Sequence, residues 1–227
     1  VFEVDLPGAR VVFTTRAGGN SEGPYASRNL GPSTADESEI VESNLRQLEE
    51  ELELPPLQLL DQVHGANLVE LAEAPSVNRP IADGATTLNG DRALLITGAD
   101  CPSVFLGSHS RLTALHCGWR PVASGLLERA TRDFGDEPFD AVIGPGICME
   151  HFAVGDEVVA AMGEDGDRFV EDGLLDLTGI IRVRLERAGA RQVHNVERCT
   201  FCEPELFFSH RRDEGLTGRQ AGVGWRI

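Results

Sequence analysis

Three apolar runs with the same kind of ending constrain this chain most. LQLLDQVHGA (57–66), ALLITGADCP (93–102) and LTALHCGWRP (112–121) each begin as a strand-like hydrophobic stretch and finish in polar or reactive residues. Buried strands that deliver side chains at their ends are how layered α/β folds build a site. The expected fold is therefore α/β in the broad sense (α+β), with layered mixed β-sheets flanked by helices. The 227 residues show no repeat, no low-complexity tract and no evident linker. They read as a single domain over 1–227, long enough to bury a sizeable core.

The remaining pattern supports layers. ARVVFTTRAGG (9–19) reads as a strand entering a glycine turn, and 20–35 as a long loop rich in Gly, Pro, Ser and Asn. Thr34 with Glu37 fits a capping box. The helix that follows places Ile40, Val41, Leu45, Leu48 and Leu52 on one face and stops before Pro55-Pro56. VASGLLERATRDF (122–134) has helical spacing, AVIGPGI (141–147) reads as a buried strand, and GDEVVAAM and LLDLTGIIRVRLERAG read as helices, with Gly189 as the C′ residue of the latter. RQVHNV (191–196) is the last expected strand, and the tail 199–227 has no clear period.

Charge narrows the chemistry. All 20 basic residues are arginine, against 37 acidic ones, for a formal net charge of -17. Without lysine there is no Schiff-base chemistry, no lysine-linked pyridoxal phosphate, no Walker A loop and no kinase strand lysine. A phosphate-bearing ligand must be held by arginine, backbone N–H groups or a metal. The acidity argues against binding nucleic acid or an anionic membrane, and no run approaches the length of a membrane span. The opening VFEVDLPGAR carries charge where a signal peptide would be apolar, and the five cysteines are an odd number. The expectation is a reduced, cytoplasmic protein. A monomer is compatible with the sequence, which leaves the oligomeric state open.

His64, Cys101 and His116 each end one of the three apolar runs. Two imidazoles and a thiolate suit zinc, and three protein ligands leave a fourth position open for activating a bound water. Satisfied core residues are the alternative reading. Cys117 adjoins His116 and should face the other way if the strand continues. Cys199-Thr-Phe-Cys202 lacks a second pair and reads as structural rather than as a redox or metal element; Cys148 and His151 carry no assigned role. Arg16, Arg28, Arg120, Arg211, Arg212 and Arg219 lie in loops, where a planar guanidinium makes either structural ion pairs or an anion pocket.

TTRAGG, YASRNLG, DQVHG, ADGATT, TGADCPSVFL, ALHCGWR, IGPGI, FFSHRR and TGRQA, in that order over about residues 10–222, resemble the laccase-domain ("multicopper polyphenol oxidase") family, whose members are read largely as purine nucleoside phosphorylases. The resemblance implies one zinc ion held by His64, Cys101 and His116, which makes these catalytic residues. It implies phosphorolysis of adenosine or inosine to base and ribose 1-phosphate, with methylthioadenosine phosphorolysis and adenosine deamination at the same site. It also places Arg16, Asn29 and Gln62 near substrate, with Arg120 and Arg211 as further candidate anion-binding residues. Asp100 adjoins Cys101 and takes a supporting catalytic role. Two departures from the family pattern are Pro121, which fits the first position of a helix, and His210, where tyrosine is frequent.

Three rivals remain at this point. Copper oxidation of phenols is disfavoured, because six histidines without an H-x-H pair are few for a multicopper site. A Cys–His hydrolase or deamidase would use Cys101 and His116 as nucleophile and base. A noncatalytic binding role is the third.

Overall fold

The computed structural model describes residues 1–71 and 78–227. In chain order the elements are β1 (Phe2–Leu6), β2 (Ala9–Phe13), α1 (Ser38–Glu51), β3 (Leu57–Gln58), β4 (Leu68–Glu70), β5 (Gly84–Thr87), β6 (Ala93–Gly98), β7 (Ser103–Gly107) and β8 (Leu112–His116). They continue with α2 (Trp119–Ala123), α3 (Leu126–Arg132), β9 (Asp140–Ile143), α4 (Asp156–Met162), α5 (Glu164–Arg168), β10 (Val170–Glu171), β11 (Leu174–Leu175), α6 (Leu177–Arg187), β12 (Val193–Asn195) and β13 (Gln220–Arg226).

Two mixed sheets carry the fold. The first has the order β1-β2-β13-β6-β3 and the second β12-β9-β7-β8-β5-β4. The pairs β3–β6, β4–β5 and β12–β9 are parallel and the others antiparallel. Alternation along each strand sorts side chains into layers. On β6, Leu94 and Ile96 point between the sheets, where they meet Phe13, Phe105 and Ala114. Ala93 and Leu95 point the other way, onto Val41, Leu45 and Leu48 of α1. On β7, Val104 and Leu106 join Leu126, Leu127, Ile180 and Ile181 beneath the helices of the second sheet. The layers are thus helix, sheet, sheet, helices, as the mixed α/β reading expected.

Several local expectations are corrected. The Thr34–Glu37 capping box does not form. Helix α1 begins at Ser38, Glu37 makes no side-chain cap bond, and the Thr34 hydroxyl instead donates to Gly31 O at 2.8 Å. Thr34 sits in the preceding turn, too far upstream to reach the helix N–H groups. The single helix over 122–134 is two helices broken at Gly125, whose φ of 82° lies in the left-handed region. Pro121 is the third residue of α2 rather than the first; its missing N–H costs nothing there, because first-turn N–H groups have no intrahelical partner. Leu174–Leu175 pairs with Val170–Glu171, so the helix starts at Leu177. Gly189, at φ 94°, does follow its last turn.

The final strand is β13, not the segment around 193. It occupies an inner position of the first sheet, between β2 and β6. Its glycines hid it. A Cβ on Gly222 or Gly224 would come within 2.7 Å of the Phe105 ring, so these positions exist to seat that ring rather than to turn the chain.

Candidate active site

The three apolar runs converge as expected at one end of the sheets. His116 is the last residue of β8, Cys101 lies in the short loop joining β6 to β7, and His64 lies in the loop between β3 and β4. Leu112 and Ala114 face between the sheets, and His116 continues that alternation. Cys117 points oppositely, fully buried among the residues beneath the helices. The donor atoms of His64, Cys101 and His116 lie within 4.8 Å of one another. The two imidazole rings meet edge to face, with centroids 4.7 Å apart. A Cβ on Gly118 would stand 2.8 Å from Cys101 Sγ, so glycine leaves the thiol the room it occupies.

Asp83 organises this group, and the sequence reading assigned it no role. Its Oδ1 lies 2.8 Å from His116 Nδ1, which leaves Nε2 as the nitrogen free to face the cluster. The same carboxylate accepts the backbone N–H groups of Val63, His64 and Gly65 at 3.2, 3.0 and 2.6 Å. One buried carboxylate therefore sets both histidines, and these bonds stabilise the left-handed backbone of His64 at φ 57°. Asp83 was visible only as the Asp of ADGATT, at the start of β5.

Electrostatics favour a thiolate. Burial pushes the Cys101 thiol up, but hydrogen bonds with His116 and His64 outweigh it and bring it down to about 6. Burial lowers His116, and the bonds to Asp83 and Cys101 overcome that and raise it to about 9. Burial opposes ionisation of Asp83, yet the His116 and Gly65 bonds hold its carboxyl below the usual range.

The group opens on a cleft of about 460 Å³ that Gln62, Asp100, Arg120, His210, Arg211 and Arg219 also line. Gln62 is fixed by a two-way exchange with Thr97, donating to Thr97 O at 2.9 Å and accepting from Thr97 N at 2.9 Å. Arg120 lies over the Trp119 ring at 4.4 Å. Arg211 reaches the carbonyls of His151 and Ala153. Asp100 turns away from the histidines: it accepts from Thr200 Oγ1 at 2.6 Å and from Arg211 N at 2.7 Å. Its place is that of an anchor, joining the Cys101 loop to the loop that carries Arg211.

Two expected substrate residues lie off this cleft. Arg16 donates to Ala26 O at 2.8 Å and Pro204 O at 3.0 Å and stacks on Phe208. Asn29 is fully buried and ties Thr34, Gly31 and Arg219 together through their polar atoms. Both hold loops. Arg219 is the arginine the cleft gains in exchange.

A larger hollow of about 670 Å³ lies beside Cys148, Glu150, Arg182, Glu186 and Arg198. It contains none of His64, Cys101 and His116, and size without a convergent reactive group is the weaker indication of a reaction site. At its rim, Cys148, His151, Cys199 and Cys202 form a second group with donor atoms within 4.8 Å of one another.

The two-sheet fold is shared with known proteins. Over residues 10–227 the chain belongs to the family described as multi-copper polyphenol oxidoreductase laccase. It is 40% identical to a purine nucleoside phosphorylase of Pseudomonas aeruginosa, over 95% of this chain and 93% of that protein. It is 34% identical to purine nucleoside phosphorylase YfiH of Escherichia coli, over 97% and 95%. The crystal structure of the Neisseria meningitidis protein NMB0706 superposes with a TM-score of 0.91 at 33% identity, covering 99% of this chain and 98% of that one.

Proposed function

We propose that this protein is a zinc-dependent purine nucleoside phosphorylase that cleaves adenosine or inosine with phosphate. The observation that carries the reading is the junction of a His–Cys–His donor set with three cleft arginines, in a chain 40% identical to a protein named for that activity. The donor set fits zinc: two imidazoles, a thiol brought down to about 6, and Asp83 on the far nitrogen of His116. His64, Cys101 and His116 would hold the ion, which would supply positive charge and Lewis acidity at that end of the cleft.

The chain's own residues do the rest. In phosphorolysis a phosphate oxygen bonds to the anomeric carbon as the carbon–nitrogen bond to the purine breaks, and the base leaves with the bonding pair. Phosphate must be held in line with that bond. Arg120, Arg211 and Arg219 are the guanidinium groups available to it, and Gln62, pinned by Thr97, lines the same cleft. Asp83 holds His116 and His64 in fixed orientation throughout. Methylthioadenosine phosphorolysis and adenosine deamination are assigned to the same cleft. The family's descriptive name points to copper, but neither donor group offers the set of histidines a three-copper cluster requires.

The test is incubation of metal-verified protein with adenosine or inosine, with and without phosphate. Phosphate-dependent ribose 1-phosphate supports the proposal, and inosine formed from adenosine adds deamination. A Cys–His hydrolase is the competing reading, favoured by the Cys101–His116 bond. It predicts activity that survives chelation and dies on thiol alkylation.

A further inference from the structure

Cys148, His151, Cys199 and Cys202 belong to two loops that the fold brings together from 51 positions apart. The first supplies Cys148-Met-Glu-His151 after the Gly-Pro-Gly turn, and the second Cys199-Thr-Phe-Cys202. A C-x2-H half and a C-x2-C half together supply a Cys3His donor set, one of those that hold structural zinc. All five cysteines of the chain are free thiols.

The four donor atoms all lie within 4.8 Å of one another, close to the separations a tetrahedral ion needs. Cys148 Sγ lies 3.8 Å from Cys202 Sγ and 3.2 Å from His151 Nδ1, Cys202 Sγ lies 3.5 Å from His151 Nδ1, and Cys199 Sγ lies 3.0 Å from Cys148 Sγ. Tetrahedral zinc with bonds of about 2.3 Å to sulfur and about 2.0 Å to nitrogen sets its sulfurs about 3.8 Å apart and sulfur from nitrogen about 3.5 Å apart. The Cys148–Cys199 edge must lengthen most and the Cys148–His151 edge slightly. The surroundings suit bound thiolates. The backbone N–H groups of Cys148 and Cys202 both point to Cys199 Sγ, at 3.3 and 3.4 Å. The His151 ring is held flat against Phe201, with centroids 4.0 Å apart.

We propose that these four residues form a second, structural zinc site, independent of the His64–Cys101–His116 group. Four protein ligands close the coordination sphere, so the ion would have no open position for substrate. Its work is to lock two loops. Gly146 and Cys199 form an isolated parallel bridge, Thr200 next to Cys199 holds Asp100, and the carbonyl of His151 receives Arg211. An ion here fixes the wall that presents Arg211 to the cleft. Binding releases the thiol protons to solvent.

The test is metal stoichiometry. Purified, reduced wild-type protein loaded with zinc and desalted should carry two zinc ions per chain by elemental mass spectrometry. Cys101→Ser, Cys199→Ser and Cys202→Ser should each carry one, and Cys202→His, which keeps a ligand, should return to two. Cobalt(II) titration of the wild type should reach two bound ions, a reading that does not depend on how a variant folds; because the second site holds three of the four thiolates, about three quarters of the thiolate-to-cobalt charge-transfer intensity should remain in Cys101→Ser. A single zinc in the wild type that Cys101→Ser abolishes would overturn the proposal. So would a Cys148 disulfide to Cys199 or Cys202 that persists when reduced protein is exposed to air with zinc present.

Discussion

Asp83 Oδ1 and His116 Nδ1 stand 2.8 Å apart, both buried. The same carboxylate binds the His64 turn, so one side chain outside the donor set orients two of its three members. Asp83→Asn keeps the shape and removes the charge. It should weaken zinc binding by about 10–100-fold, the usual cost of losing an outer-sphere carboxylate. Competition with a chromophoric chelator measures this, and unchanged affinity would remove Asp83 from the site.

Arg211 and Arg16 separate anion binding from loop support. Arg211 lines the cleft, whereas Arg16 is committed to two carbonyls and the Phe208 ring. Arg211→Ala should raise KM for phosphate about 10–100-fold, corresponding to a lost charged hydrogen bond of about 1.5–3 kcal/mol. Arg16→Ala should leave that KM alone and lower the melting temperature. Initial rates at varied phosphate, with a thermal melt of each variant, decide it; equal effects on phosphate KM would refute the division.

The thiol of Cys101 gives a pH signature. Its folded value is brought down to about 6 from an ordinary 9.0, so the thiolate appears as pH rises through about 6. In chelator-stripped protein, alkylation of Cys101 followed by peptide mapping should rise with an inflection near 6. His116→Ala removes one of the two bonds responsible and should move the inflection upward. Zinc should protect the thiol. An inflection near the ordinary value of 9.0 would contradict the assignment.

Far from the cleft, Asp165 joins Arg184 at 2.8 Å and Arg187 at 3.1 Å. The Arg187 bond, and then that of Arg184, hold its carboxyl below the usual range against the effect of burial. A depressed folded value stabilises above the unfolded value of about 3.9, and that stability is lost as pH falls through the folded value. Asp165→Asn should cost about 2–3 kcal/mol at pH 7, less than a fully buried pair because Arg187 is largely exposed. The gap between wild type and variant in urea unfolding should close below about pH 4. A gap constant down to pH 3 would exclude the ion pair as its source.

How much of this was legible depended on where the chemistry sat. His64, Cys101 and His116 stood out because each ends an apolar run, and strand ends meet at one edge. Asp83 did not, because its partners are backbone N–H groups 18 to 20 positions away and a backbone leaves no mark in sequence. The Cys148 group was split the same way. Its C-x-x-C half was visible, but the matching C-x-x-H half lay beyond a Gly-Pro-Gly turn, 51 positions from its partners in the chain. Loop arginines all read alike in sequence, and only the paths of their loops distinguish Arg219 at the cleft from Arg16 behind it. β13 was lost because Gly222 and Gly224 break the alternation of apolar residues, while the ring of Phe105 that needs them lies over a hundred positions earlier.

The inner place of β13 has a consequence for how the protein is made. Residues 220–226 are made after every other strand described here, yet they fill the gap between β2 and β6. Until then the nascent chain presents two unsatisfied strand edges and cannot close its first sheet. Long-range pairing of this kind forms slowly, and such open edges expose a chain to aggregation. Closure of the first sheet therefore waits on a seven-residue strand that lies far along the chain from the β2 edge it completes.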